Sequence, residues 1–182
     1  VGTGTLAVRD PECHEGRPVV RLDFSFQGRV MLMSIRDRTL SLVDLEHHHT
    51  LRYEKEERHP MGTRDERVAI YPGAGLWEPE GGVAKALHAP HPLDELSFIY
   101  LARSVRLGDG EMREFDLHFD AGRSPVRLRD RGRERVRVPA GTFDTRVVEM
   151  EVRDPSRFGE TGRVVLHLTD DQARVPVKIT SA

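Results

Sequence analysis

Apolar residues fall on every second position through much of this chain, and that habit excludes most folds. Val20, Leu22, Phe24 and Phe26 alternate with Arg21, Asp23 and Ser25. Phe115, Leu117 and Phe119 alternate with Glu114, Asp116 and His118. The pattern returns in Val148, Met150 and Val152, and again in Val164, Leu166 and Leu168. Successive side chains of a strand point to opposite faces, so each segment offers one apolar and one polar face. An antiparallel sheet with one solvated side reads this way. Glu15-Gly16, Gly108-Asp-Gly110, Ala121-Gly122, Arg131-Gly132 and Thr161-Gly162 supply turns between the runs. A hairpin around Gly132 is expected to pair 126–129 with 133–138, and strands 144–153 and 162–169 follow as neighbours. Short strands linked in sequence form a meander.

One segment departs from the period of two. Leu93, Leu96, Ile99, Tyr100 and Arg103 recur at steps of three and four. Pro92 suits a first helical turn, and Asp94 and Glu95 suit the positive helix end. The spacing predicts a helix over about 92–103. Phe98 and Leu101 widen its apolar stripe, and a helix apolar on most sides is a surrounded one. The expected fold is therefore mainly β: a curved antiparallel sheet or open barrel, in meander order, wrapped around one central α-helix. The expected organisation is a single β-rich domain, 1–182. Segment 29–36 suits helix or strand equally. Segment 72–90, rich in Gly, Pro and Ala and holding the only tryptophan, Trp77, reads as a long irregular crossing.

Charge narrows the partners. The net charge is −2 with histidine neutral, so no general attraction to nucleic acid is expected. The basic stretch 127–137 alternates with apolar residues and is interrupted by Asp130 and Glu134, which reads as a solvated hairpin. The apolar runs 30–33 and 98–102 fall far short of the roughly 20 residues of a spanning helix. Cys13 is alone, so neither an intrachain disulfide nor a cysteine cluster can form. Val1, not methionine, opens the sequence, which fits a removed export leader and a shortened chain alike.

Three local patterns occur in order: Asp94-Glu-Leu-Ser-Phe-Ile-Tyr100, Val138-Pro-Ala-Gly-Thr-Phe143 and Leu168-Thr-Asp-Asp-Gln-Ala-Arg-Val-Pro-Val177. Together they resemble a bacterial envelope family known as domain of unknown function 3108. The resemblance implies a curved antiparallel sheet around a helix, and export to the periplasm or outer membrane. It brings no catalytic residues. The patterns have plain physical readings as well. Gly141 suits a turn conformation barred to other residues. Phe143 then re-enters the core. Asp170-Asp171 starts a turn by side-chain bonds to backbone, and Pro176 confines its strand to an edge or end. Ser97 reads as a helix-packing hydroxyl.

Candidate chemistry is sparse. There is no Gly-x-Ser-x-Gly elbow, and Gly73-Ala-Gly75 is too short for a dinucleotide loop. His47-His48-His49 is the exception. His47 and His49 would share a face of an extended strand, with Glu46 or His59 as further donors, and imidazole suits zinc, copper and nickel. The same triplet also reads as a solvated polar turn. His118 and His167 are expected on exposed polar faces.

The expected function is a non-catalytic envelope protein without a cofactor. It would be a binding or accessory, scaffolding subunit of a larger membrane-associated complex, with a protein partner. The alternative is a carrier of a hydrophobic, lipid-like ligand in the concave face of the sheet. Its lining would be Leu22, Phe24, Phe115, Leu117, Met150 and Leu166, with Phe98 and Tyr100 from the helix.

Overall fold

The alternating segments do form strands in the computed structural model, which describes residues 2–30, 33–60, 62–154 and 160–181. All strand pairing among the described residues is antiparallel. The chain divides into two compact units, 1–97 and 98–182. Each is described by itself.

The first unit holds one eight-stranded sheet. Its strands are β1 (Gly2–Val8), β2 (Glu12–His14), β3 (Arg17–Val30), β4 (Met33–Asp44), β5 (Thr50–His59), β6 (Gly62–Tyr71), β7 (Leu76–Pro79) and β8 (Lys85–Ala86). The order is β1-β3-β4-β5-β6-β7-β8, with β2 beside β3, so the expected meander holds from β3 onward. Segment 29–36 is strand wherever it is described; residues 31 and 32, and with them part of the apolar run 30–33, lie outside the described residues. Segment 72–90 is more ordered than its composition suggested. It contains a short 3-10 turn, Pro72–Ala74, followed by β7 and β8. Trp77 is buried there, with the Lys85 ammonium 4.6 Å from its ring centre.

Burial in β3–β6 is graded along the strands. Val19, Leu22, Leu42, Leu51, Tyr53, Val68 and Ile70 are buried. The other halves of β5 and β6 carry ion pairs in place of core, such as Lys55 with Glu57, Arg58 with Asp65 and Arg64 with Glu66. The exposed pair among them, Arg58 with Asp65, adds little to stability.

The helix α1 (Glu95–Ser104) begins three residues later than the spacing predicted. The reason is its cap. Asp94 Oδ1 accepts the backbone N–H of Leu96 at 2.7 Å and of Ser97 at 3.0 Å. Ser97 returns the bond, its Oγ accepting from Asp94 N at 2.8 Å. This reciprocal arrangement is a capping box, and it places Pro92 and Leu93 outside the helix. Ser41 Oγ and Thr50 Oγ1 also donate to the Asp94 carboxylate, at 2.8 and 2.7 Å. Leu96, Phe98, Ile99 and Ala102 are buried, while Tyr100 and Leu101 are half-buried, in line with an apolar circumference.

The second unit holds a five-stranded sheet of order β13-β12-β11-β10-β9. Its strands are β9 (Met112–Phe115), β10 (Val126–Val138), β11 (Gly141–Asp154), β12 (Glu160–Thr169) and β13 (Pro176–Ser181). Neither sheet closes into a barrel. The turn at Gly141 is as expected, with φ 142°, though Phe143 is only half-buried. The Asp171 turn is also present: Asp171 Oδ1 accepts from Thr169 Oγ1, Ala173 N and Arg174 N. Pro176 opens an edge strand. No helix among the described residues is long and apolar enough to cross a membrane.

Four expectations fail here. There is no hairpin at Gly132: β10 runs straight through, with a β-bulge between Asp130 and Arg133 and Gly132 at φ 89°. Asp130 stabilises the bulge by accepting Gly132 N on Oδ2. Thr161 and Gly162 are strand, paired with Arg153 and Val152. The run Phe115–Leu117–Phe119 is not one strand, because the ladder stops at Phe115. His118 and His167 are buried, not exposed. His118 follows the end of β9, where its ring stacks on Phe98 and tilts against Phe119, at centroid distances of 6.4 and 4.5 Å. His167 is buried because the middle of this sheet is covered on both faces. Thr145 through Met150 are all buried in succession, and His167 Nε2 meets Glu134 Oε2 at 3.1 Å.

Candidate functional site

The histidine triplet occupies the connection from β4 to β5. It is a turn, not a strand: the backbone turns through Leu45–His47, and His48 takes a left-handed φ of 55°. Asp44 organises it. Its Oδ1 accepts the backbone N–H of Glu46 at 2.7 Å and of His47 at 2.9 Å. Its own N–H and C=O close the loop, to His49 O and from His48 N, both at 2.9 Å. An aspartate that bonds the backbone two and three residues ahead is a turn former, so the sequence Asp44-Leu-Glu-His-His-His49 folds back on itself locally.

The result gathers three donors. A carboxylate oxygen of Asp44 and one ring nitrogen each of His47 and His49 all lie within 4.8 Å of one another. Asp44 Oδ1 is 3.4 Å from His47 Nδ1, and Asp44 Oδ2 is 3.8 Å from His49 Nε2. The rings of His47 and His49 stack at 5.3 Å, and His91 stacks on His49 at 6.0 Å. Asp44 and His49 are buried; His47 and His91 are exposed. Burial pushes the Asp44 carboxyl up, but the backbone N–H groups of His47 and Glu46 outweigh it and hold the group below its ordinary range. Burial holds the His49 imidazole below its ordinary value. The pair is thus a carboxylate beside a neutral imidazole, both able to donate electron pairs.

Sequence reasoning paired His47 and His49 with each other and missed Asp44 and His91. The Asp-x-x-His spacing was the available signal. Of the two donors it did offer, Glu46 supplies only its backbone N–H to Asp44, and His59 is engaged with Asp37 at 2.7 Å.

The apolar candidates are distributed between the units. Leu22 and Phe24 lie in the first, the former buried and the latter half-buried. Phe98, Tyr100, Phe115, Leu117, Met150 and Leu166 lie in the second. There Phe98, Met150 and Leu166 are buried, and Tyr100, Phe115 and Leu117 are half-buried. A groove of about 590 Å³ opens in the first unit, between Arg17, Leu51, Arg52, Arg67 and Ile70, and none of the eight candidates lines it. Three arginines of 127–137 are held by acids: Arg127 by Glu114, Arg131 by Glu149 and Arg133 by Asp170.

No curated protein matches the chain. A solved structure of a DUF1089 family protein from Pseudomonas aeruginosa is similar at 12% identity and a TM-score of 0.45, over 98% of this chain and 89% of that one. A likeness that slight carries no argument about this fold or function. The family comparison is another matter: the profile of DUF3108, described as a protein of unknown function, matches residues 1–181. With the helix cap at Asp94, the Gly141 turn and the Asp171 turn all in place, the chain belongs to the DUF3108 family.

Proposed function

We propose that the chain is a non-catalytic binding domain of the bacterial cell envelope, periplasmic or associated with the outer membrane. It serves there as an accessory or scaffolding subunit of a larger assembly. The reading keeps a curved sheet around α1 as the scaffold. The observation that best supports it is an apolar stripe on β3. Leu22 is buried, and Phe24 and Phe26 continue the same strand face while half-buried. Leu6 lies opposite Phe24, and Ile35 lies opposite Gly28, in register. Residues directly opposite in antiparallel strands share a face, so aromatic and aliphatic surface extends beyond the core of the first unit. Partly exposed apolar surface of this kind suits a protein partner.

The test is a photo-activated cross-linker placed at Phe26 in the producing cell. One stoichiometric protein adduct in the envelope fraction is expected. Recovery of the uncross-linked chain alone would overturn the reading.

The same stripe supports a second reading, a carrier of a hydrophobic, lipid-like ligand. In that case purified protein extracted into organic solvent yields a recurrent lipid by mass spectrometry, and Phe24→Asp lowers its yield. Repeated extraction with no lipid recovered excludes it.

A further inference from the structure

His49 is 5% exposed, yet neither of its ring nitrogens has a hydrogen-bond partner. A neutral imidazole has one N–H to donate and one lone pair to fill. Leaving such a buried group unpaired forfeits hydrogen bonds that water would otherwise supply. The turn around it is otherwise well satisfied, with Asp44 Oδ1 taking two backbone N–H groups. What His49 faces is a carboxylate oxygen at 3.8 Å, too far for a hydrogen bond, and two stacked imidazoles.

Those separations match another geometry. Around zinc, with bonds of about 2.0–2.1 Å to nitrogen and oxygen, tetrahedral ligand atoms lie about 3.4 Å apart. Asp44 Oδ1 is already 3.4 Å from His47 Nδ1, its other oxygen is 3.8 Å from His49 Nε2, and one donor atom from each of the three residues lies within 4.8 Å of the other two, so small side-chain shifts bring them onto one ion. The geometry points to a divalent transition-metal site of the zinc class, held by Asp44, His47 and His49, with His91 swinging in as the fourth ligand. His91 is exposed and so free to change rotamer, and its ring already lies against that of His49.

The donor set decides the class of ion. Imidazoles with one carboxylate select zinc, copper or nickel over magnesium and calcium, which prefer all-oxygen shells. The backbone N–H groups of Glu46 and His47 orient the Asp44 carboxylate, as outer hydrogen bonds do at metal centres. Four protein ligands make a closed, structural site. It would fasten the β4–β5 turn to the segment before α1, where Thr50 N already donates to Pro92 O at 2.8 Å.

The experiment uses the full chain, stripped by a chelator and titrated calorimetrically with zinc sulfate, then with cobalt(II) read by visible absorption. One equivalent of zinc binds. His47→Ala and His91→Ala each weaken binding by roughly 10–100-fold or more, while His48→Asn leaves it unchanged. Cobalt gives the intense visible bands of four-coordinate geometry, and magnesium chloride gives no heat. His47 and His91 are exposed, so both variants fold, which far-ultraviolet circular dichroism verifies. Equally weak heats from wild type and variants, or a faint six-coordinate cobalt spectrum indifferent to His47→Ala, overturn the site. Loss in His47→Ala with no change in His91→Ala removes His91 from the ligand set.

Discussion

Arg146 donates from Nε to Asp130 Oδ1 at 2.5 Å, and both side chains are buried. The other oxygen of Asp130 accepts the backbone N–H of Gly110 and of Gly132. Burial pushes the Asp130 carboxyl up, but the Gly110 N–H and the Arg146 guanidinium bring it below its ordinary range. In the unfolded chain the group takes up its proton near pH 3.9, before the folded form does. Its stabilising contribution is therefore full above about pH 5 and is lost as the pH falls through the lowered value.

Asp130→Asn should accordingly cost about 1–3 kcal/mol at neutral pH, because it removes the buried one of the two acids that hold Arg146, the other being the exposed Asp109. The variant should also show a shallower loss of stability in acid. Urea unfolding at pH 7 and at pH 3 checks both. A variant with wild-type steepness in acid would show that Asp130 does not set this limb.

The cap on α1 has its own signature. Asp94→Ala removes a helix cap and the acceptor of the buried Ser41 and Thr50 hydroxyls, for a combined loss of about 2–4 kcal/mol. Ser97→Ala removes the return bond and the hydroxyl's contacts with Asp94 O and Thr50 Oγ1, and should cost about 1 kcal/mol. Chemical denaturation of the two variants measures the ratio. A neutral Ser97→Ala would mean that its hydroxyl does not support the cap.

Two glycines in the second sheet should respond differently. Gly132 has open space around it but sits at φ 89°. Gly132→Ala should cost about 1–2 kcal/mol from backbone strain alone. At Gly162 an added Cβ meets Val152 O at an ordinary 3.6 Å. Gly162→Ala should shift stability by no more than about 0.5 kcal/mol. Thermal unfolding of both, side by side, decides whether the bulge needs its glycine.

Arginines clasp the end of α1. Arg174 Nη2 donates to Ala102 O at 3.3 Å, and Arg103 donates to Arg174 O and Ala173 O at 3.1 and 3.2 Å. A cation suits the negative end of a helix. Arg103→Ala and Arg174→Ala should be non-additive, with a coupling of about 0.5–3 kcal/mol in a double-mutant cycle. Strict additivity would mean that the two act separately.

Much of this structure was written locally. Phe24 and Phe26, Met150 and Leu166 declare strands through their alternation, and Leu96 through Ala102 declare a helix. What local pattern could not carry was the second face. His167 and Glu149 look solvated in a single strand, yet both are buried in the middle of the five-stranded sheet. The bulge misled for a similar reason. Leu128 pairs with Met150 and Val136 with Phe143, so even-numbered residues of β10 switch sides across Arg131-Gly132. A reader counting by twos sees one face and a glycine turn. The candidate site was half legible. His47 and His49 announce themselves, but Asp44 looks like the polar end of a strand, and His91 lies 42 positions beyond His49 in the chain. Only the turn brings them together.

The helix cap has a consequence in time. A helix of ten residues is too short to persist in water unaided. Two of the groups that satisfy its cap, Ser41 and Thr50, come from β4 and from the start of β5, 53 and 44 residues earlier. As the chain leaves the ribosome, α1 has only its local Asp94–Ser97 box to organise it until those strands have turned back on one another. Order passes from the hairpin to the helix, and a peptide spanning α1 alone should show no helical signal.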